Sequence, residues 1–183
     1  MLAYYTLAIL DFEAHDAEQI EALRARLDPV TAARVAAHVT IGFAADTIAQ
    51  GKLIALLERV AQASTPFDLR FDQIELGTDH RDARGYAFWV PSQGRDEVIA
   101  LHDRLHNDPD LAYPINRAVP YRPHITLAER PTKEAAQDLV DELSTQRLVA
   151  QARISHLSLV ALYRDQVESV ARIRLGDGTR EPQ

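Results

Sequence analysis

The chain is 183 residues long, 46% apolar and 26% charged, the size and balance of one compact globular domain able to bury its own core. Its formal net charge of −7 argues against a long surface for tracking nucleic acid, and the absence of cysteine excludes disulfides, thiolate catalysis and zinc–thiolate sites. No apolar run is long enough to span a membrane, so the expectation is a cytoplasmic monomer without membrane attachment.

The first element is a strand over Tyr4 to Leu10, read so rather than as a signal peptide because no basic residue precedes it and Asp11 and Glu13 follow at once. A helix follows, with Ile20, Leu23 and Leu27 at helical spacing, Asp16 and Gln19 at the offset of a capping box, and Pro29 as its stop. A strand over Ala37 to Phe43 leads into a helix from about Ile48 to Ala63 with a buried stripe of Leu53, Leu57 and Val60. Phe67 to Leu76 then alternates as a strand. A polar connector with Gly77, Asp79, His80 and Asp82 separates this half from a second with the same order. That half comprises a strand over Gly85 to Val90, a helix marked by Val98, Leu101 and Leu105, and a strand over Arg122 to Ala128. A helix marked by Ala135, Leu139 and Leu143 and one long strand over Ala152 to Tyr163 follow. A closing strand runs over Val167 to Leu175, and residues 177–183 are expected to be a flexible tail. The pattern predicts an α+β, bilobal domain over residues 1–176, made of duplicated strand-helix-strand-helix-strand halves. The lobes, not strictly independent, lie at about 1–76 and 85–175, with pseudo-twofold symmetry and a central cleft.

Each half carries one His-x-Thr strand, His38 with Thr40 and His124 with Thr126. Residues two apart on a strand share a face, so each strand offers an imidazole beside a hydroxyl on one face and buries Val39 and Ile41, or Ile125 and Leu127, on the other. In a chain of this composition His-aliphatic-Thr-aliphatic should occur by chance roughly 0.02 times, so two copies at equivalent positions are a specific signal. Two imidazoles across a cleft suit phosphoryl transfer at a ribose hydroxyl, one taking a proton from the attacking oxygen and the other giving one to the leaving oxygen. Thr40 and Thr126 are placed to stabilise the phosphoryl oxygens.

Around these strands, Arg81 and Arg84 flank the central connector, and Arg117, Arg122 and Arg130 cluster about the second motif, where they could hold a phosphate. Arg122, two before His124, is the foremost basic candidate, and Tyr121 could stack on a base, although a core role is equally open to it. His102 and His106 have the spacing of a metal pair, but with Asp-Arg-Leu between them they read as a solvated helix face. His15, His80 and His156 have no partner motif, and the sequence lacks a nucleophile elbow and a phosphate-binding glycine loop.

At the segments AHVTIGF (residues 37 to 43) and YRPHITLAER (121 to 130) the sequence resembles the two-histidine phosphoesterase superfamily, which includes 2′-5′ RNA ligase-like proteins and 2′,3′-cyclic nucleotide phosphodiesterases. The resemblance spans Tyr4 to Leu175 and implies a bilobal α+β fold with the active site between the lobes. It implies His38 and His124 as paired acid and base, and Thr40 and Thr126 on the phosphate, with Arg130 as a further contact. The expected function is a metal-independent phosphoesterase acting on 2′,3′-cyclic phosphates or 2′-5′ linkages of nucleotides or short RNA ends, without cofactor. The alternatives are 2′-5′ RNA ligation at the same site and a non-catalytic module that binds nucleotides or RNA ends.

Overall fold

The computed structural model describes residues 2–78, 83–109, 113, 115 and 119–181. The elements in chain order are β1 (Ala3–Ile9), β2 (Asp11–Phe12), α1 (Ala14–Leu27), α2 (Pro29–Ala32), β3 (His38–Ala45), α3 (Gln50–Gln62) and β4 (Phe67–Thr78). There follow β5 (Gly85–Gln93), α4 (Arg95–His106), β6 (Ile125–Arg130), α5 (Lys133–Thr145), β7 (Ala150–Ile154), β8 (His156–Tyr163) and β9 (Gln166–Arg174). The apolar stripes of α3 (Leu53, Leu57, Val60) and α5 (Leu139, Val140, Leu143) are buried as their spacing requires. Thr132 caps α5 by accepting the Ala135 N–H, 3.2 Å. The capping box expected at Asp16 and Gln19 does not form: Glu13 is the N-cap of α1 without a side-chain cap, and Gln19 instead meets His15, one turn back, at 2.9 Å.

The strands form two antiparallel sheets, ordered β3-β1-β8-β9 and β2-β7-β4-β5-β6. The two halves of the chain repeat one order of elements, and they are interleaved through their strands. Each half gives its third long strand to the other half's sheet: β4 pairs with β5, and β8 pairs with β1. The first helix of each half is exchanged as well, since α1 packs against β6 while α4 packs against β3. The buried apolar side chains accordingly form one contiguous core drawn from both sheets.

The expected long strand over Ala152 to Tyr163 is broken at Ser155, where the chain passes from one sheet to the other. The β1–β2 junction makes the same passage beside it, and the Ser155 hydroxyl donates to Asp11 across the two crossings. The C-terminal segment makes hydrogen bonds as far as Glu181. Gly176 N–H bonds Ala61 O, Glu181 N–H bonds Arg172 O, and the Glu181 carboxylate lies 2.7 Å from His156 Nε2. Among the described residues no helix is long and apolar enough to cross a membrane.

This topology places β3 at one edge of the first sheet and β6 at one edge of the second, and the two edges face each other.

Candidate active site

His38 opens β3 and His124 immediately precedes β6, so the two motifs sit at corresponding ends of the two facing edge strands. The alternation is as expected: Val39, Ile41, Ile125 and Leu127 are buried, while His38, Thr40, His124 and Thr126 are half-buried on the other face. Each ring is pinned in the same way. His38 Nδ1 lies 2.8 Å from Ala36 O, and His124 Nδ1 lies 2.7 Å from Arg122 O, each the carbonyl two residues earlier. A carbonyl can only accept, so each Nδ1 carries the proton and donates it, which leaves Nε2 of each neutral ring as the unprotonated nitrogen.

Packing then tunes the rings. Phe88 stacks on His124 with centroids 3.6 Å apart and planes at 18°. Phe88 can lie there because β4 has a glycine beneath it: a Cβ on Gly77 would sit 2.2 Å from the Phe88 ring. Burial pushes His124 down to about 4, with the Arg122 and His38 charges acting the same way and the bond to the Arg122 carbonyl opposing them. His38 is also held below the usual histidine value, chiefly by burial. The Ala36 carbonyl opposes that shift, and Arg24 and Glu21 act in opposite directions. Both imidazoles are therefore biased towards neutrality in the free protein.

The flanking candidates fare differently. Arg122 stays beside His124, its guanidinium tied to Glu75 Oε2 at 2.8 Å and Leu76 O at 3.1 Å and lying 5.2 Å from the Phe88 ring centre, so part of its donor capacity is spent within the fold. Tyr121 is engaged within the fold. Its hydroxyl donates to Thr40 O at 2.8 Å, one ring face lies on His102 with centroids 3.9 Å apart, and burial holds the hydroxyl far above its ordinary value. It is a strut between the two motif strands. Arg130 ends β6 roughly 20 Å along the strand from His124 and donates to Leu27 O at 3.1 Å, at the C-terminus of α1, so the fold does not bring it to the histidines. Arg84 pairs with Glu129 at 3.0 Å. Arg81, Arg117, Asp79, His80 and Asp82 lie outside the described residues.

His102 and His106 are buried, not solvated, because α4 is covered by β3 and by the rings of Tyr121, on His102, and Tyr113, on His106. His106 Nδ1 lies 2.7 Å from His102 O, and Tyr113 donates to Phe43 O at 2.8 Å, with burial pushing the Tyr113 hydroxyl up to about 12. Among the described residues no three His, Asp or Glu side chains converge as a metal-binding group. Sequence reasoning missed Phe88 and Gly77, whose juxtaposition appears only once β4 and β5 are in register, and it missed Glu21 and Arg24, an i,i+3 pair on α1 that reads as ordinary helix surface.

The same fold occurs in several solved structures. E. coli LigT complexed with 3′-AMP superposes with a TM-score of 0.59 at 21% identity, covering 95% of this chain and 97% of that one. A crystal structure described as a phosphoesterase gives 0.61 at 23% identity over 96% and 99%. Usb1 of Kluyveromyces marxianus gives 0.52 at 10% identity over 91% and 96%. No curated protein matches the sequence significantly. On the strength of a family profile that matches residues 12–166, the chain belongs to the 2′-5′ RNA ligase superfamily.

Proposed function

We propose that this protein is a metal-independent phosphoesterase that opens 2′,3′-cyclic phosphates or 2′-5′ linkages on nucleotides or short RNA ends, with His38 and His124 as its acid–base pair. The observation that carries this reading is the matched pinning of the two rings, each with Nδ1 donated to its own backbone and Nε2 left for the cleft. In hydrolysis one neutral imidazole takes a proton from water as the oxygen–phosphorus bond forms. The other, protonated, gives its proton to the ribose oxygen as the phosphorus–oxygen bond to it breaks. Thr40 and Thr126 donate hydrogen bonds to the non-bridging oxygens, where negative charge accumulates. A phosphodiester anion between the rings favours the imidazolium, so substrate binding restores the proton that burial disfavours. The nucleotide class of substrate is supported by relatives of the same fold: E. coli LigT was solved with 3′-AMP, ATP, NADP+ and phosphate, and K. marxianus Usb1 with uridine monophosphate. If a ribose hydroxyl of a second RNA end replaces water, the same groups run ligation.

The test is hydrolysis of 2′,3′-cyclic nucleotides and 2′-5′ dinucleotides in EDTA across pH 4 to 9. Each of His38→Ala and His124→Ala should lower kcat about 10²- to 10⁴-fold. Because both imidazoles lie below 6.5, the bell-shaped kcat/KM profile of the wild type should peak on the acid side of 6.5. Inactivity of the wild type on every phosphodiester, or full activity in both single mutants, would replace catalysis with simple nucleotide binding.

A further inference from the structure

Arg24 is among the largest fully buried side chains of the protein, 2% exposed, on a helix whose other charged side chains are exposed or only partly buried. Burying a guanidinium costs several kcal/mol and seldom repays itself in stability, so its contacts indicate what it is for. They converge on three residues that lead into His38. Arg24 Nη2 donates to Val35 O at 3.0 Å, and Nη1 donates to Glu21 Oε2 at 2.6 Å. Glu21 Oε1 in turn accepts the Ala37 N–H at 2.6 Å.

The Ala37 N–H and the Ala36 C=O belong to one peptide plane, and in a trans peptide they point in opposite directions. Holding the N–H on the Glu21 side therefore aims the carbonyl away from α1, and that carbonyl is the acceptor of His38 Nδ1–H at 2.8 Å. We propose that Glu21, fixed by Arg24, is a positioning residue for His38, orienting the imidazole through the Ala36–Ala37 peptide as a carboxylate–peptide–imidazole relay. The inference rests on the catalytic reading of His38. A carboxylate on the N–H also polarises the carbonyl, strengthening its grip on Nδ1–H and locking the tautomer that frees Nε2.

His124 has no such relay. The peptide that holds its ring is the bond from Arg122 to Pro123, whose nitrogen bears no hydrogen, and Arg122 is fixed instead by its own side chain on Glu75. His124 is thus an internal control. The charged and titratable groups that act on His38 are Glu21 and Arg24 from α1 and His124 from the facing strand.

The experiment compares wild type, Glu21→Gln, Glu21→Leu and the surface ion-pair control Arg153→Ala by steady-state kinetics on a 2′,3′-cyclic nucleotide, and by ¹⁵N NMR of the imidazoles across pH 4 to 8. Gln retains an acceptor for the Ala37 N–H without the charge, so kcat should fall by less than about 10-fold. Leu leaves that N–H unpaired, and kcat should fall about 10- to 100-fold with KM changed far less. In both variants His38 should titrate lower than in wild type, because the carboxylate that favours its charged form is gone, while His124 keeps its tautomer. In Glu21→Leu, His38 should lose its exclusive Nδ1–H tautomer. Wild-type kcat together with an unchanged His38 tautomer and titration in Glu21→Leu would overturn the relay. If Glu21→Leu does not fold, an unshifted His38 in Glu21→Gln would overturn it equally. The NMR readout needs no turnover, so failure of the catalytic reading, seen as an inactive wild type, is separable from failure of the relay.

Discussion

His124 is neutral in the folded protein down to about pH 4, whereas in the unfolded chain it titrates near 6.5. Between those values the unfolded chain binds a proton that the folded chain refuses, so stability rises with pH across that window and is lost as pH falls through it. The separation corresponds to about 3 kcal/mol, nearly all of it lost by pH 4. His38 contributes in the same direction, and the protein's carboxylates add a background of their own. The His124→Asn variant isolates the effect, because an amide can still donate to the Arg122 carbonyl but does not titrate. Urea unfolding of both proteins at half-unit steps from pH 4 to 7 should give curves that run parallel above pH 6.5, with the wild type losing about 2 to 3 kcal/mol more than the variant towards pH 4. The buffer must be free of phosphate, since an anion bound in the cleft would stabilise the imidazolium and mask the trend. Parallel curves over the whole range would refute a His124 held neutral by burial, whatever the absolute stability of the variant.

Two further substitutions probe how the site is held. Gly77→Ala places a methyl group 2.2 Å from the Phe88 ring, which must move and take the stacked His124 with it. Stability should fall by about 1–3 kcal/mol in chemical denaturation, and kcat by up to about 100-fold, with wild-type values in both assays counting against the packing argument. Tyr121→Phe removes the hydroxyl that joins the approach to β6 to the Thr40 carbonyl, and should cost about 1 kcal/mol in urea titration while leaving the His102 stack intact. An unchanged midpoint would show that the strut carries no net energy.

What can be read locally was legible in the sequence, because strand and helix periods are properties of consecutive residues. Alternation in residues 38–41 and 124–127 placed each histidine and threonine on one face, and the stripes of α3 and α5 announced their buried sides. The repeated order of elements made a duplicated, two-lobed α+β fold an inference from pattern alone. Pairing between distant strands is another matter. Nothing in the alternation of 150–163 tells its two parts to join different sheets, since both present the same period and only their partners differ. The exchange of third strands and first helices between the halves is likewise a choice among pairings that local sequence leaves equal, and it decides the rest. It carries α4 beneath β3, burying His102 and His106, and it sends Arg130 to the end of α1. It brings Phe88 over Gly77 against His124, and it sets Glu21 and Arg24 behind His38. The two His-x-Thr motifs are thus written in residues two apart and their tautomers in carbonyls two residues back, while their packing and protonation come from side chains far off in sequence, Glu21 and Arg24 for His38 and Phe88 for His124, which only the tertiary structure brings within reach.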